Sequence, residues 1–170
     1  MNSEWRSFKL GDPDVASITL GQSPPSETYN DSGDGLPFFQ GKADFGPRSP
    51  KVRLWCSAPL RVAEPNDILI SVRAPVGDVN IADQRCSIGR GLAAIRSLRL
   101  DHEFLYYALI HAKPLLEAEG TGSTFDSINR YTLENFEITA PSDIEEQRTI
   151  ARMLRAMQRA AEIEARTAVT

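Results

Sequence analysis

The stretch PNDILISVRAPVGDVNIADQRCSIGRGLAAIR, residues Pro65–Arg96, decides the fold of this chain. It contains three runs rich in isoleucine, valine, leucine and alanine, and clusters of proline and glycine separate them. Short apolar runs bounded by such turn residues predict β-strands. The expected strands are Asp67–Val72, Asp78–Asp83 and Gly91–Leu98.

The residues before this stretch predict two further strands and a long loop. The strands are expected near Ala16–Leu20 and Leu36–Gln40, and the turn-rich sequence Gly21–Gly35 lies between them. Loops longer than about 12–15 residues in compact domains are usually functional or mobile. We therefore expect Gly21–Gly35 to be a functional or a mobile loop.

The residues after it predict helices and one more strand. Asp101 can cap a helix that begins at His102, and Pro114 is expected to break this helix or to start a turn. A short helical turn over Asn129–Asn135 and a strand over Phe136–Ala140 follow.

The last segment predicts one long helix. Ser142 or Asp143 can cap it, and no glycine or proline occurs from there to about Arg166. Apolar residues recur every three to four positions: Ile144, Ile150, Leu154, Met157, Ala161 and Ala165. This narrow, alanine-rich seam is typical of a helix that pairs with another helix, and packing onto its own domain is the alternative.

The composition limits the class of protein. The 170 residues fit one domain, and 41% apolar residues are enough for a core. Cys56 and Cys86 are far apart, and only two histidines are present, so we expect no metal site. There is no opening apolar run of signal-peptide type and no stretch near the about 18 residues of a membrane span, so we expect a cytoplasmic protein.

The charge is unevenly distributed. The net charge of −4 argues against a nucleic-acid partner. However, residues 42–99 contain 10 lysines and arginines against 5 acidic residues, and most of these cations are arginine. Arginine presents a planar donor fork that suits phosphate oxygens and guanine edges. The basic third of the chain is either a DNA-binding surface or a set of solvated faces.

The segment GTGSTFDSI, Gly120–Ile128, has the composition of a loop that could meet phosphates. Gly120 and Gly122 would let the backbone approach closely, while Ser123 and Thr124 can donate to phosphate oxygens. A purely structural role is the alternative, and Phe125 is expected to pack inward.

The motifs of common enzymes are missing. GLPFFQGKA, Gly35–Ala43, has five residues between its glycines where a P-loop has four, and Ala43 replaces its Ser or Thr. GTGST lacks the spacing of a nucleophile elbow. We therefore expect no catalytic residue and no cofactor, and we predict a binding module.

Three segments together resemble a known family: Pro65–Arg96 quoted above, GSTFDSINRYTLENFEITAP (Gly122–Pro141) and EEQRTIARML (Glu145–Leu154). They are similar to the target recognition domain of type I restriction–modification specificity subunits, followed by the start of a spacer helix. The opening EWRSFKLGD is similar as well.

The resemblance implies an α/β (α+β) fold, with a mixed-sheet target recognition domain over residues 1–141 and a coiled-coil-type spacer helix over 142–170. Such a domain reads one half of a bipartite site in double-stranded DNA. The spacer helix packs against a second recognition domain's helix, or against a homodimer partner, and docks methyltransferase and possibly restriction subunits in phage defence. A full-length subunit carries two such domains, so this chain resembles a half-subunit or a truncated domain.

Site residues are expected for two tasks, DNA binding and helix pairing. Base reading is assigned to the irregular stretch Lys42–Arg53, and Arg73 and Arg90 at strand ends either contact DNA or make structural pairs. The full set of DNA-binding candidates is Lys42, Arg48, Lys51, Arg53, Arg73, Arg90, Ser123, Thr124 and Arg130. The helix-pairing candidates are Ile150, Leu154, Met157 and Ala161.

Two other functions remain open from the sequence. The chain could be an interaction or scaffold domain that kept the fold without reading DNA. It could also be a recognition domain that belongs to a fused methyltransferase.

Overall fold

The computed structural model of the chain describes residues 3–121 and 126–169. Its strands are β1 (Trp5–Lys9), β2 (Ala16–Leu20), β3 (Tyr29–Asn30), β4 (Leu36–Phe39), β5 (Trp55–Cys56), β6 (Val62–Ala63), β7 (Ile68–Ser71), β8 (Val79–Ile81), β9 (Cys86–Ile88), β10 (Leu92–Ser97) and β11 (Glu137–Pro141). Its α-helices are α1 (His102–Thr121), α2 (Arg130–Asn135) and α3 (Ile144–Thr167), and 3-10 turns lie at Ser26–Thr28 and Lys42–Asp44. The strands predicted from the sequence are confirmed.

The strands form three sheets. The first is antiparallel with the order β2-β10-β7-β8, and the second has the order β3-β5-β4-β9-β6. Within the second sheet β4 and β9 are parallel while the other pairs are antiparallel, which makes it a mixed sheet. The third sheet pairs β1 with β11 antiparallel. The expected α/β fold with a mixed sheet is confirmed.

The four-stranded sheet is buried on both faces. Ile70 and Ile95 pack into one core with α1 residues such as Leu105, whereas Leu69 and Leu92 pack into a second core. That second core is formed with residues of the five-stranded sheet: Phe39, Ala63, Cys86 and Ile88. The domain therefore has three layers, and the middle strands read as continuous apolar runs because neither face meets water.

Helix α1 runs through the proline that was expected to end it. Asp101 caps it as predicted, since its Oδ1 accepts the N–H of Phe104 at 3.0 Å. Pro114 lies inside the helix, so the expected break is wrong. Leu109 and Leu116 on either side of Pro114 are fully buried. Their burial outweighs the lost backbone hydrogen bond.

Gly120 is a helix residue and not part of an open loop. It is buried near the end of α1, where a Cβ would lie 3.4 Å from Cγ2 of Val76. The expectation that this glycine brings the backbone close to DNA is therefore wrong. Residues 122–125, which include Gly122, Ser123, Thr124 and Phe125, lie outside the described part of the chain.

Helix α3 is tied to the domain by a buried glutamine. Asp143 caps the helix, and Gln147 in its first turns is 2% exposed. The side chain of Gln147 accepts the N–H of Asp101 at 2.8 Å and donates to the carbonyl of Pro141 at 2.8 Å. It thereby fixes the start of α3 to the start of α1 and to the end of β11.

The two cysteines are free and buried. Burial raises the pKa of the Cys86 thiol to about 12, so the thiol packs as a neutral group in the second core. No group of three histidine, cysteine or acidic side chains able to hold a metal lies among residues 3–121 and 126–169. In the same ranges no helix has the length and apolar character needed to cross a bilayer.

We predict that Leu69→Ala and Ile70→Ala each lower the free energy of unfolding by about 2–5 kcal/mol, because both side chains are fully buried but on opposite faces of β7. Urea unfolding measures both changes. The control is Leu115→Ala, whose side chain is 64% exposed and should cost at most about 0.5 kcal/mol. A small effect at one of the two positions would mean that one face of the sheet is solvated.

Candidate nucleic-acid interface

Asp44 fixes the 3-10 turn Lys42–Asp44, which contains the predicted DNA-binding residue Lys42. It is 8% exposed, its Oδ2 accepts the N–H of Gln40 at 2.7 Å, and its Oδ1 pairs with the guanidinium of Arg53. The side chain of Arg53 stays 63% exposed. Gln40, Lys42 and Arg53 line a groove of about 570 Å³ together with Pro75.

Gly91 links the chain segments that end β4 and β7 by backbone hydrogen bonds. Its N–H donates to the carbonyl of Gln40 at 3.1 Å, and its own carbonyl accepts the N–H of Val72 at 3.0 Å. A Cβ at position 91 would lie 2.4 Å from the Gln40 oxygen, so the junction requires glycine. The chain neighbours of Gly91 and Val72 are Arg90 and Arg73, and both are exposed.

The chain segments that carry four of the predicted DNA-binding residues are therefore adjacent. Lys42 and Arg53 line the groove, and Arg90 and Arg73 lie next in the chain to Gly91 and Val72 of the junction. We call these four residues the basic edge. Arg73 and Arg90 form no ion pair within residues 3–121 and 126–169, so their charges are available to a partner.

Both loops that the sequence singled out adjoin the basic edge. The loop Gly21–Gly35 starts there, because the N–H of Gln22 donates to Ile88 at 3.1 Å and Ser23 Oγ accepts the N–H of Arg90 at 3.2 Å. It is not wholly irregular, since it includes a 3-10 turn and β3. On the other side, Ser127 forms a β-bridge with Arg73.

Arg48 does not line the groove. Its guanidinium pairs with Glu103 on α1 and lies 5.1 Å above the ring of Tyr106. The N–H of Ile81 donates to the Arg48 carbonyl at 2.8 Å, so this part of the stretch runs along β8. Within the stretch to which base reading was assigned, Arg48 is thus engaged by α1 and lies beside β8.

Lys42 is also held by an acid. Its Nζ lies 2.9 Å from Asp78, and the Nζ of Lys113 on α1 lies 2.9 Å from the same carboxylate. Burial alone would raise the pKa of Asp78, but the hydrogen bonds and charges of the two lysines outweigh it and lower that pKa. The carboxylate therefore stays ionised and fixes Lys42 beside the groove.

The other predicted cations lie around this arrangement. Lys51 is exposed, and its N–H donates to the carbonyl of Asp44 at 2.8 Å. Arg130 pairs with Glu134 at 3.1 Å and donates to the carbonyl of Ile18 at 3.3 Å, so it braces α2 against β2. The predicted Ser123 and Thr124 fall outside the described residues.

Sequence reasoning missed Gln40 and Arg61. Gln40 lines the groove, and its backbone anchors both Asp44 and Gly91. Arg61 is exposed, and its carbonyl accepts the N–H of Ile88 at 3.0 Å, next to the turn that carries Arg90. The excess of cations in residues 42–99 included Arg61, but only the sheet register places it near that turn.

The helix-pairing candidates divide between two environments. Ile150 packs against the core of the domain. Leu154 is 37% exposed and Met157 is 68% exposed, and Ala161 is exposed as well. The first turns of α3 thus belong to the packed domain, while later turns present an uncovered apolar surface.

The fold and the site define a mixed α/β domain that gathers cations at one end of its sheets and continues into a long C-terminal helix. A family model for the type I restriction modification DNA specificity domain matches residues 2–169. The chain therefore belongs to this family of DNA specificity domains.

Individual relatives agree with this assignment. A protein of Methanocaldococcus jannaschii assigned as the MjaX type I restriction enzyme specificity subunit is 46% identical over 162 residues, which cover 94% of this chain and 38% of that protein. This chain thus spans about two fifths of the length of its relatives.

Solved structures match over 96% of the chain. A chain from a study of complex assembly and conformational transition in the type I R-M system has a TM-score of 0.87 and 49% identity, and 40% of it is covered. The HsdS subunit of Thermoanaerobacter tengcongensis has a TM-score of 0.82 and 48% identity, with 39% covered. The S subunit of M. genitalium, at 24% identity, a TM-score of 0.73 and 41% covered, supports the fold alone.

We predict that Arg48→Ala destabilises the domain, whereas Arg53→Ala barely does. The first change leaves Glu103 without its main partner at a site where both side chains are at most one quarter exposed, and it should lower the free energy of unfolding by about 1–3 kcal/mol. The second removes an exposed cation, and Asp44 keeps the N–H of Gln40, so the cost should stay within about 1 kcal/mol. Chemical denaturation measures both, and equal costs would contradict the structural role of Arg48.

Proposed function

We propose that this chain is a DNA-reading component of a type I restriction–modification system and that it recognises one half of a bipartite target. The observation that carries the proposal is the adjacency of the chain segments that carry Lys42, Arg53, Arg73 and Arg90. Neighbouring cations beside loops can provide both phosphate contacts and donors for base edges. Membership of the DNA specificity family supports the same function.

The residues have different roles in this proposal. Arg73 and Arg90, which form no ion pair with a described residue, contact phosphates. Lys42 and Lys51 add positive charge beside the groove, and Arg53 is the candidate for base reading because it is held in place and still exposed. Ser123 and Thr124 remain proposed phosphate contacts from the adjoining loop, while Arg48 and Arg130 support the fold.

The proposal assigns residues 1–141 to recognition and residues 142–170 to assembly, and the first turns of α3 also fasten the helix to the recognition domain. The exposed residues Leu154, Met157 and Ala161 form the surface that pairs with a second spacer helix. Methyltransferase and restriction subunits would dock to the resulting assembly and carry out methylation and cleavage, so this chain itself is proposed to be non-catalytic.

We expect the double variant Arg73→Gln, Arg90→Gln to bind duplex DNA more weakly regardless of sequence. Each phosphate contact contributes about 0.9 to the slope of log K against log salt, so the slope should become shallower by about 2. Fluorescence anisotropy with mixed-sequence duplexes at several salt concentrations measures it.

The matched control for this double variant is Arg6→Gln, Arg85→Gln, which removes the same charge. Arg6 lies on β1, and Arg85 precedes β9 whereas Arg90 follows it. Because both control residues lie away from the basic edge, the salt slope should not change. If the salt slope became equally shallow in both variants, only the net charge of the chain would matter for binding. If the unmodified chain shows no salt-dependent binding, the scaffold function is favoured instead.

We expect Met157→Glu to weaken self-association or pairing with a partner helix without loss of thermal stability. The side chain is 68% exposed, so a charge there meets water in the isolated domain and an apolar surface in the pair. Ile150→Glu should instead lower the melting temperature, because Ile150 packs on the core. Analytical ultracentrifugation and thermal unfolding separate the two, and unfolding of Met157→Glu would refute the assembly role.

A further inference from the structure

The arginines of α3 form a single row. Helix α3 carries five of them: Arg148, Arg152, Arg155, Arg159 and Arg166. At 3.6 residues per turn these positions fall within about 60° of one another around the helix axis, and the row is about 27 Å long. All five cations of the helix therefore lie on one face.

This row is distinct from the other two faces of α3. Gln147 and Ala151 are buried against the domain, Met157 points to the side opposite the arginines on a helix of this pitch, and Leu154 lies between Met157 and the buried face. A helix that pairs through Leu154 and Met157 would leave the row uncovered. The row is therefore not part of the proposed helix-pairing seam.

The intramolecular acids neutralise only part of the row. Arg148 pairs with Glu145 at 2.5 Å and lies 3.7 Å from Asp101, and Arg155 lies 3.5 Å from Glu103. Arg152, Arg159 and Arg166 are exposed and form no ion pair within the described ranges 3–121 and 126–169. Like charges three or four residues apart destabilise a helix, and Arg148, Arg152, Arg155 and Arg159 have this spacing. An anionic partner at Arg152 and Arg159 would offset part of this repulsion.

The row is continuous with the basic third of the chain. Arg48 and Arg155 meet at the same oxygen of Glu103, Oε1. Gln158, on the next turn of α3, lines a cleft together with Lys42 and Lys113. A connected series of cations, with Asp78 and Glu103 between them, therefore runs from the groove at Lys42, past Arg48, to the arginine row of α3.

We propose that the arginine row of α3 binds the phosphate backbone of the DNA duplex next to the half-site that the basic edge reads. The inference rests on the proposed DNA-reading function and extends it to a second, sequence-independent surface. Duplex DNA carries one negative charge per about 1.7 Å of axis, so a row of this length faces about 16 phosphate charges. An acidic protein surface would also complement the charge of the row, but only a long duplex would extend from the row to the groove at Lys42.

The test is the triple variant Arg152→Gln, Arg159→Gln, Arg166→Gln in the full chain. Glutamine keeps the helix propensity, and no ion pair within the described residues is lost. The probe is a 30-base-pair mixed-sequence duplex, titrated by anisotropy from about 50 to 200 mM NaCl. We expect the salt slope to become shallower by about 2–3 and the Kd at 100 mM NaCl to rise at least tenfold.

The matched control is Arg6→Gln, Lys9→Gln, Arg85→Gln, which removes the same charge from β1 and from the start of β9. This control should keep the slope of the unmodified chain, and circular dichroism should show equal helix content in all three proteins. If the control weakens DNA binding and flattens the salt slope as much as the triple variant does, the row is not a binding surface and the inference is overturned.

The basic-edge variant Arg73→Gln, Arg90→Gln distinguishes the two proposals. If it loses binding while the α3 variant does not, the proposed function stands and the inference is overturned in favour of an acidic protein partner. If the α3 variant loses binding and the edge variant does not, the inference stands and the edge is wrongly assigned. If the unmodified chain binds no duplex, both proposals are overturned.

Discussion

Burial of the four-stranded sheet on both faces is the constraint on which the rest of the structure depends. Because Ile70 and Leu69 leave β7 on opposite sides, helix α1 must cover one face and the five-stranded sheet must cover the other. The ends of both sheets are then held together at the Gly91 junction, where Gly91 is hydrogen-bonded to Gln40 and Val72. The basic edge follows from the way the layers stack.

The cations of this domain are placed by acids that are themselves fixed in the fold. Asp44 and Asp78 hold Arg53 and Lys42 beside the groove, and Glu103 draws Arg48 towards α1. The net charge of −4 is compatible with locally positive positions, because Arg73 and Arg90 form no ion pair with a described residue while Asp44, Asp78 and Glu103 are engaged by other cations. Net charge alone gives no measure of the local field that a DNA backbone would meet.

Local patterns predicted most of the elements, and the errors have a common cause. The Asp101 cap and the apolar runs of β7 and β10 could be predicted because they depend on neighbours in the chain. Pro114 was expected to end α1, but burial of Leu109 and Leu116 keeps it helical. Arg48 was expected to read bases, but Glu103, far away in sequence, engages it. Contacts of this kind leave no trace in a local window.

The sequence by itself determined the strand and helix pattern, the excess of cations in residues 42–99 and the motifs that mark the family, because these depend on residue type and spacing. Only the tertiary structure decided which cations lie together, since strand register and layer stacking bring Gln40, Val72 and Gly91 into contact. It also decided which face of α3 is packed, because Gln147 fixes the rotation of the helix through hydrogen bonds to Asp101 and Pro141. The orientation of each functional side chain is therefore a property of contacts between residues far apart in the chain.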